Sequence, residues 1–160
     1  MRVGVLGEGS WQAVQIFNEL FGEMAEVMSD DIPDDISCKE PPGYDILVLL
    51  NDHKLVKSAL RSLKSGAVAL VNTDGVPLSA LLGFDGQIVT FGFNSRACVT
   101  ASSIADGNIQ VCIQRSMLTL NGDVLQEQEF PVSMPSRDPS AVLAVCACAL
   151  LCGLDAARRQ

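Results

Sequence analysis

Short apolar runs separated by stretches of helical periodicity constrain this chain more than any other feature. Arg2 to Leu6, Asp45 to Leu50, Ala67 to Val71 and Gln87 to Phe91 read as strands. Within Asp45 to Leu50, the run from Ile46 onward is continuously apolar, as a strand covered on both faces must be. After the first strand, Gly7-Glu8-Gly9-Ser10 turns the chain into a helix with Trp11, Val14, Phe17 and Phe21 on one face and Gly22 at its end. Ala25 to Met28 reads as a further short strand, and His53 to Leu63 as a helix with Leu55, Ala59 and Leu63 inward and Val56 and Leu60 beside them. Strand, helix, strand in succession builds right-handed βαβ units and a parallel sheet.

The second half changes character. Ala97 to Ile104, Ile109 to Arg115 and about Val124 to Val132 alternate like half-exposed strands, with turn signals at Asp106-Gly107-Asn108 and Asn121-Gly122-Asp123. The closing apolar stretch, Ala141 to Leu151, has Asp138 to cap it, Pro139 for its first turn and Gly153 to stop it. The expected fold is therefore α/β: a three-layer, Rossmann-like parallel sheet with an appended antiparallel β-meander and a C-terminal buried helix. No linker or internal repeat divides the chain, so residues 1–160 read as one domain.

Composition narrows the partners. The chain is 48% hydrophobic with 19% charged residues, a folded rather than a disordered profile. Its net charge of −8 disfavours nucleic acid and anionic membranes, both of which demand a cationic footprint. Ala141 to Leu151 is shorter than the roughly 20 residues a bilayer span takes. No signal-peptide pattern precedes the first strand, so a cytoplasmic location is expected, with Cys38, Cys98, Cys112, Cys146, Cys148 and Cys152 as reduced thiols. The chain has one histidine and no Cys-x-x-Cys pair, and no metal site is expected.

Ligands of open parallel sheets bind beyond the carboxyl ends of the strands. Four turns belong there: Gly7 to Ser10, Asn51-Asp52-His53, Asn72 to Gly75 and Gly92-Phe93-Asn94. Gly7 and Gly9 allow close approach of backbone N–H groups to a phosphate, with Ser10 opening the helix. Yet Gln12 stands where the dinucleotide fingerprint has its third glycine, and Ser10-Trp11 stand where a Walker loop has lysine. A tight strand-to-helix turn accounts for the same residues. His53 with Asp52 reads either as a ligand-facing pair or as a solvated helix start. Lys54, Lys57, Arg61 and Lys64 form a cationic stripe, either the wet face of an amphipathic helix or a group reaching an anionic ligand. The acidic segment Asp30 to Asp35 lacks calcium-loop spacing, and Ser102 and Ser103 have no acid–base partner recognisable in sequence.

Taken in order, these stretches resemble the central ATPase domain of the Mur ligase family. Val3 to Ser10 resembles a shortened phosphate loop, and Leu49-Leu50-Asn51-Asp52-His53 resembles the strand end and Asp-His pair, with Lys57 near the lysine that the family carbamylates. Ala69 to Asp74 matches a strand ending in Asn-x-Asp, and Val89 to Phe93 one reading Val-Thr-Tyr-Gly. Gln110 to Val132 and Ala141 to Gly153 look like the closing meander and helix. The chain departs from the pattern in the phosphate-loop lysine and threonine, in the strand bearing the metal-binding glutamate, and in the flanking substrate and ligand domains.

The resemblance implies a catalytically degenerate, bacterial, cytoplasmic domain, with no catalytic residue assigned. It implies a binding or accessory role, self-association or a protein partner, and a residual nucleotide or anion site. That site would comprise Gly7, Gly9, Ser10, Asn51, His53, Lys57, Asn72 and Asp74. The alternative is a nucleotide-dependent enzyme or a ligase subunit completed by another chain.

Overall fold

The computed structural model describes residues 1–22, 26–29, 43–51, 56–61 and 63–155. Within them the chain forms β1 (Arg2–Leu6), α1 (Ser10–Phe21), β2 (Glu26–Ser29), β3 (Tyr44–Leu49), α2 (Val56–Arg61), β4 (Leu63–Asn72), β5 (Gln87–Phe91), β6 (Val99–Ala105), β7 (Asn108–Ile113), β8 (Met117–Leu118), β9 (Val124–Leu125), β10 (Gln128–Ser133) and α3 (Pro139–Leu151). A single 3-10 turn, Leu78–Leu81, links β4 to β5.

Eight strands make one sheet in the order β10-β7-β6-β5-β4-β3-β1-β2. From β2 through β6 neighbours run parallel, although β6 joins β5 only through Phe91 and Val99. β7 and β10 then pair antiparallel, which is the appended meander. The β6–β7 turn places Asp106 and Gly107 at φ 51° and 75°, the two left-handed residues a tight two-residue hairpin requires.

Strand periodicity divides the core into two. Val3, Val5, Ile46, Val48, Val68, Leu70, Val89 and Phe91 face α1 and α3, while Leu47, Leu49, Ala69 and Val71 face α2 and the 3-10 turn. Side chains of a strand alternate faces, so helices on both sides give three layers.

α1 buries Ala13, Ile16, Phe17 and Phe21, with the two phenyl centroids 5.3 Å apart. Burying each ring contributes about 2–3 kcal/mol. Trp11, expected inward, is 65% exposed, because the buried face of α1 runs through Ala13, Ile16, Phe17 and Phe21 and leaves Trp11 to one side. Leu63, expected on the inner face of the second helix, instead starts β4 and is half-buried. Residues 30–42, which include the acidic segment Asp30 to Asp35, and helix residues 52–55 lie outside the described residues.

The closing helix is buried all round, from Ala141 through Leu151. Asp138 caps it by accepting from the N–H groups of Ser140 and Ala141. Its far side is covered by β8 and β9: Met117 is buried in the same core, Leu120 and Leu125 pack on it, and the Leu120 N–H donates to the Leu151 carbonyl. Asn121-Gly122-Asp123 therefore closes this separate two-stranded hairpin. The predicted strand Val124 to Val132 is accordingly two elements, β9 and β10, because the first has to cover α3 while the second pairs with β7.

Candidate functional site

The turns after β1, β3, β4 and β5 are tied together by their own side chains. Asn51, just past β3, uses its amide as a clamp on the first turn: Oδ1 accepts from the Glu8 N–H and Nδ2 donates to the Glu8 carbonyl, both at 3.2 Å. Gly7 sits at φ 118°, and a Cβ there would lie 2.9 Å from Asn51 Oδ1, so glycine permits the clamp to close. The Ser10 N–H donates back to the Gly7 carbonyl and the Ala13 N–H to the Gly9 carbonyl. Gly9, in left-handed conformation, begins α1 without a side-chain cap.

Asn72, at the end of β4, is buried. Its Nδ2 donates to the Leu50 carbonyl at 2.9 Å, and its Oδ1 accepts from the Asp74 N–H at 3.0 Å. Asp74 in turn accepts from the Phe93 N–H at 2.6 Å and from Asn94 Nδ2 at 2.8 Å. Asn94 also donates to Thr73 Oγ1, and its Oδ1 accepts from the N–H groups of Arg96 and Ala97. Gln114 of the meander completes the chain of contacts by donating to the carbonyls of Asn94 and Ala97. Side-chain amides thus lock four strand ends and the meander into one polar lattice.

Beside this lattice lies a cleft of about 270 Å³ lined by Glu8, Gly9, Asn51, Asn72, Asp74, Asp138 and Ser140, with Leu50, Gly75 and Ala141. Of the residues expected from sequence, Gly9, Asn51, Asn72 and Asp74 meet here, with Gly7 and Ser10 in the turn behind. Lys57 does not reach it; it lines a separate cleft at the other end of the strands. His53 lies outside the described residues. Two contributors escaped the sequence reading. Asp138 reads from sequence only as a helix cap and Glu8 only as part of the first turn, and the fold brings both to one wall with Asp74.

The charge of this cleft is one-sided. Its lining carries three carboxylates and, among the described residues, no Lys, Arg or His. An uncapped helix N-terminus attracts an anion by up to about 2 kcal/mol. Glu8 and Asp74 are exposed and solvent-screened, but no cation in the described lining offsets the three carboxylates, so the cleft as a whole disfavours an anion. The described residues also hold no group of three or more His, Cys, Asp or Glu placed to share a metal ion.

The thiols of Cys146, Cys148 and Cys152 lie in the core around α3. Burial pushes Cys146 up to about 12. Cys148 is raised by its hydrogen bond with Cys152 and by burial. All three belong to the α3 core, where a neutral thiol packs as a small apolar group.

No protein-family model matches the sequence, and no curated protein does. Solved structures match in fold. UDP-N-acetylmuramoylalanyl-D-glutamyl-2,6-diaminopimelate--D-alanyl-D-alanyl ligase from Acinetobacter baumannii superposes with a TM-score of 0.65 at 10% identity, over 99% of this chain and 46% of that one. Two crystal structures of MurF from the same organism superpose with TM-scores of 0.61 and 0.63, at 10% and 9% identity, over 99% of this chain and 46% and 45% of theirs. The chain spans less than half the length of these ligases. No helix among the described residues is long and apolar enough to cross a membrane. The sheet, its two helical faces and its antiparallel extension therefore constitute a Mur ligase-like α/β fold.

Proposed function

We propose that this chain is a catalytically degenerate Mur ligase-like domain that acts as a binding or accessory protein. The carboxylate wall of the strand-edge cleft carries the reading. Phosphoryl transfer depends on cations that gather and neutralise the phosphates, whereas Glu8, Asp74 and Asp138 present negative charge at the place where a nucleotide would enter. The Glu8 N–H, one of the donors a phosphate loop would turn to its ligand, is held by Asn51 instead. Gly7, Gly9, Ser10, Asn51, Asn72 and Asp74 then serve as a rigid polar edge, and self-association or a protein partner supplies the role.

The test is a thermal-shift titration with ATP, ADP, NAD and UDP-linked sugars, each with and without Mg²⁺, with light scattering to read the oligomeric state. A ligand at 100 times its dissociation constant stabilises the native state by about 2.7 kcal/mol. The expected result is no saturable shift with any of them. A saturable shift with one nucleotide, abolished by Gly9→Asp, would overturn the proposal in favour of a nucleotide-dependent enzyme or a ligase subunit completed by another chain.

A further inference from the structure

A second cleft, about 760 Å³, lies at the opposite, amino-terminal end of β4 and β5. Its size falls in the range of small-molecule sites. The register of the sheet builds one wall. Between Tyr44–Leu63 and Ile46–Val68, β4 advances five residues while β3 advances two, so β4 bulges outward through Lys64, Ser65 and Gly66. Gly66 makes the bulge possible at φ 80°, with open space where a Cβ would stand. Bulges of this kind re-aim side chains, and they gather near functional sites.

The bulge brings Lys64 to the same cleft as Lys57 and Arg61, which stand one helical turn apart on α2. Like charges at that spacing repel by a few tenths of a kcal/mol. In a chain of net charge −8, three cations share this one concavity. Two acids lie close: Asp85 in the lining, and Asp45, which pairs with Lys64 at 3.3 Å. Lys57 and Arg61 are exposed, and neither has an ion pair among the described residues. Across from them are Leu82, 78% exposed, and the ring of Phe84, half-buried.

We propose that this cleft binds a small organic phosphate. Arg61 would take the phosphate through its planar fork, Lys57 and Lys64 would add charge, and an apolar or aromatic part would cover Leu82 and Phe84. The inference is independent of the strand-edge reading, since the two clefts share no residue.

Calorimetric titration with phenyl phosphate tests it, with inorganic phosphate and phenol as half-ligand controls. Phenyl phosphate is expected to bind saturably and more tightly than either control. Arg61→Ala is expected to weaken it roughly tenfold, the worth of one charged hydrogen bond. Arg61 is exposed, so the variant is expected to fold. Absence of saturable phenyl phosphate binding would overturn the proposal, as would binding indifferent to Arg61→Ala combined with Lys57→Ala. Binding of an oligo-glutamate peptide without any response to phenyl phosphate would overturn it in favour of an acidic protein segment.

Discussion

Asn72 offers the most direct test of whether the carboxyl edge of the sheet is a braced structure. The residue is 7% exposed and joins two strand ends through the Leu50 carbonyl and the Asp74 N–H. Asn72→Ala removes both contacts. The Leu50 carbonyl lies in a residue only 8% exposed, and a buried group left unpaired costs about 1–3 kcal/mol. The Asp74 N–H borders the cleft, where water reaches it, and falls at the low end of the same range. Together they predict a loss of about 3 kcal/mol, or roughly 6–12 °C in melting temperature for a domain of this length.

Asn72→Asp sharpens the test. It keeps the volume and the acceptor for Asp74, but turns the donor into an oxygen facing the Leu50 carbonyl. The expected loss at pH 7 is at least that of the alanine variant. Relative to wild type it shrinks toward acidic pH, where a protonated carboxyl regains an O–H to donate. Urea unfolding followed by circular dichroism at both pH values reads these differences. A loss below about 1 kcal/mol for Asn72→Ala at unchanged m-value would refute the reasoning, because it would mean that the lattice holds without its central amide.

Other features make separate commitments. The Tyr44 hydroxyl is buried and has no hydrogen-bond partner among the described residues, so Tyr44→Phe should leave chemical stability unchanged or raise it by up to about 1 kcal/mol; a clear loss would reveal a partner. A Cβ on Gly75 would lie 2.6 Å from the Leu50 carbonyl oxygen, whereas one on Gly9 would meet open space at φ 85°. Gly75→Ala should therefore cost about 2–3 kcal/mol and Gly9→Ala about 1–2 kcal/mol, and the reverse order in urea midpoints would contradict this geometry. For Asp45, burial opposes ionisation, but the Arg2 N–H and Lys64 outweigh it and hold its carboxyl below the ordinary value of 3.8. A depressed carboxylate stabilises the fold above its unfolded value and ceases to do so as pH falls through the folded one. The stability gap between wild type and Asp45→Asn should therefore close below about pH 4, and a gap constant down to pH 2 would exclude the effect. Thiol titration of the native protein should leave Cys146 and Cys148 unmodified until urea unfolds it, since thiolate reactivity requires an accessible, ionised sulfur.

Much of the architecture could be read from residue order. β5 has the expected bounds, Gln87 to Phe91, because a glycine turn before it and Gly92 after it bracket an apolar run. The cap at Asp138 and the stop at Gly153 frame α3 as local chemistry dictates. The readings that failed share a cause. Trp11 falls on a helical stripe with Phe17 and Phe21, but which side of that stripe turns inward is decided by packing, and here Ala13 and Ile16 take the buried side. Leu63 continues the helical period of α2, yet its neighbours belong to a strand whose start is decided by pairing with Tyr44. Val124 to Val132 alternates throughout, and nothing local says that α3 needs a cover on its outer side.

The sequence by itself determined the layers: two-residue periodicity in strands and 3.6-residue periodicity in helices are properties of neighbours along the chain. Strand-end turns at one edge followed from parallel topology alone. Only the tertiary structure decided what that edge is chemically. Glu8, Asp74 and Asp138 come from segments far apart in sequence, and their charges add only when the sheet sets them around one cleft. Lys57, placed by sequence with the first group, lines the other cleft with Arg61, and a three-residue excess in β4 brings Lys64 there as well. Electrostatic energy depends on distance through space, and that distance exists only once the chain has folded.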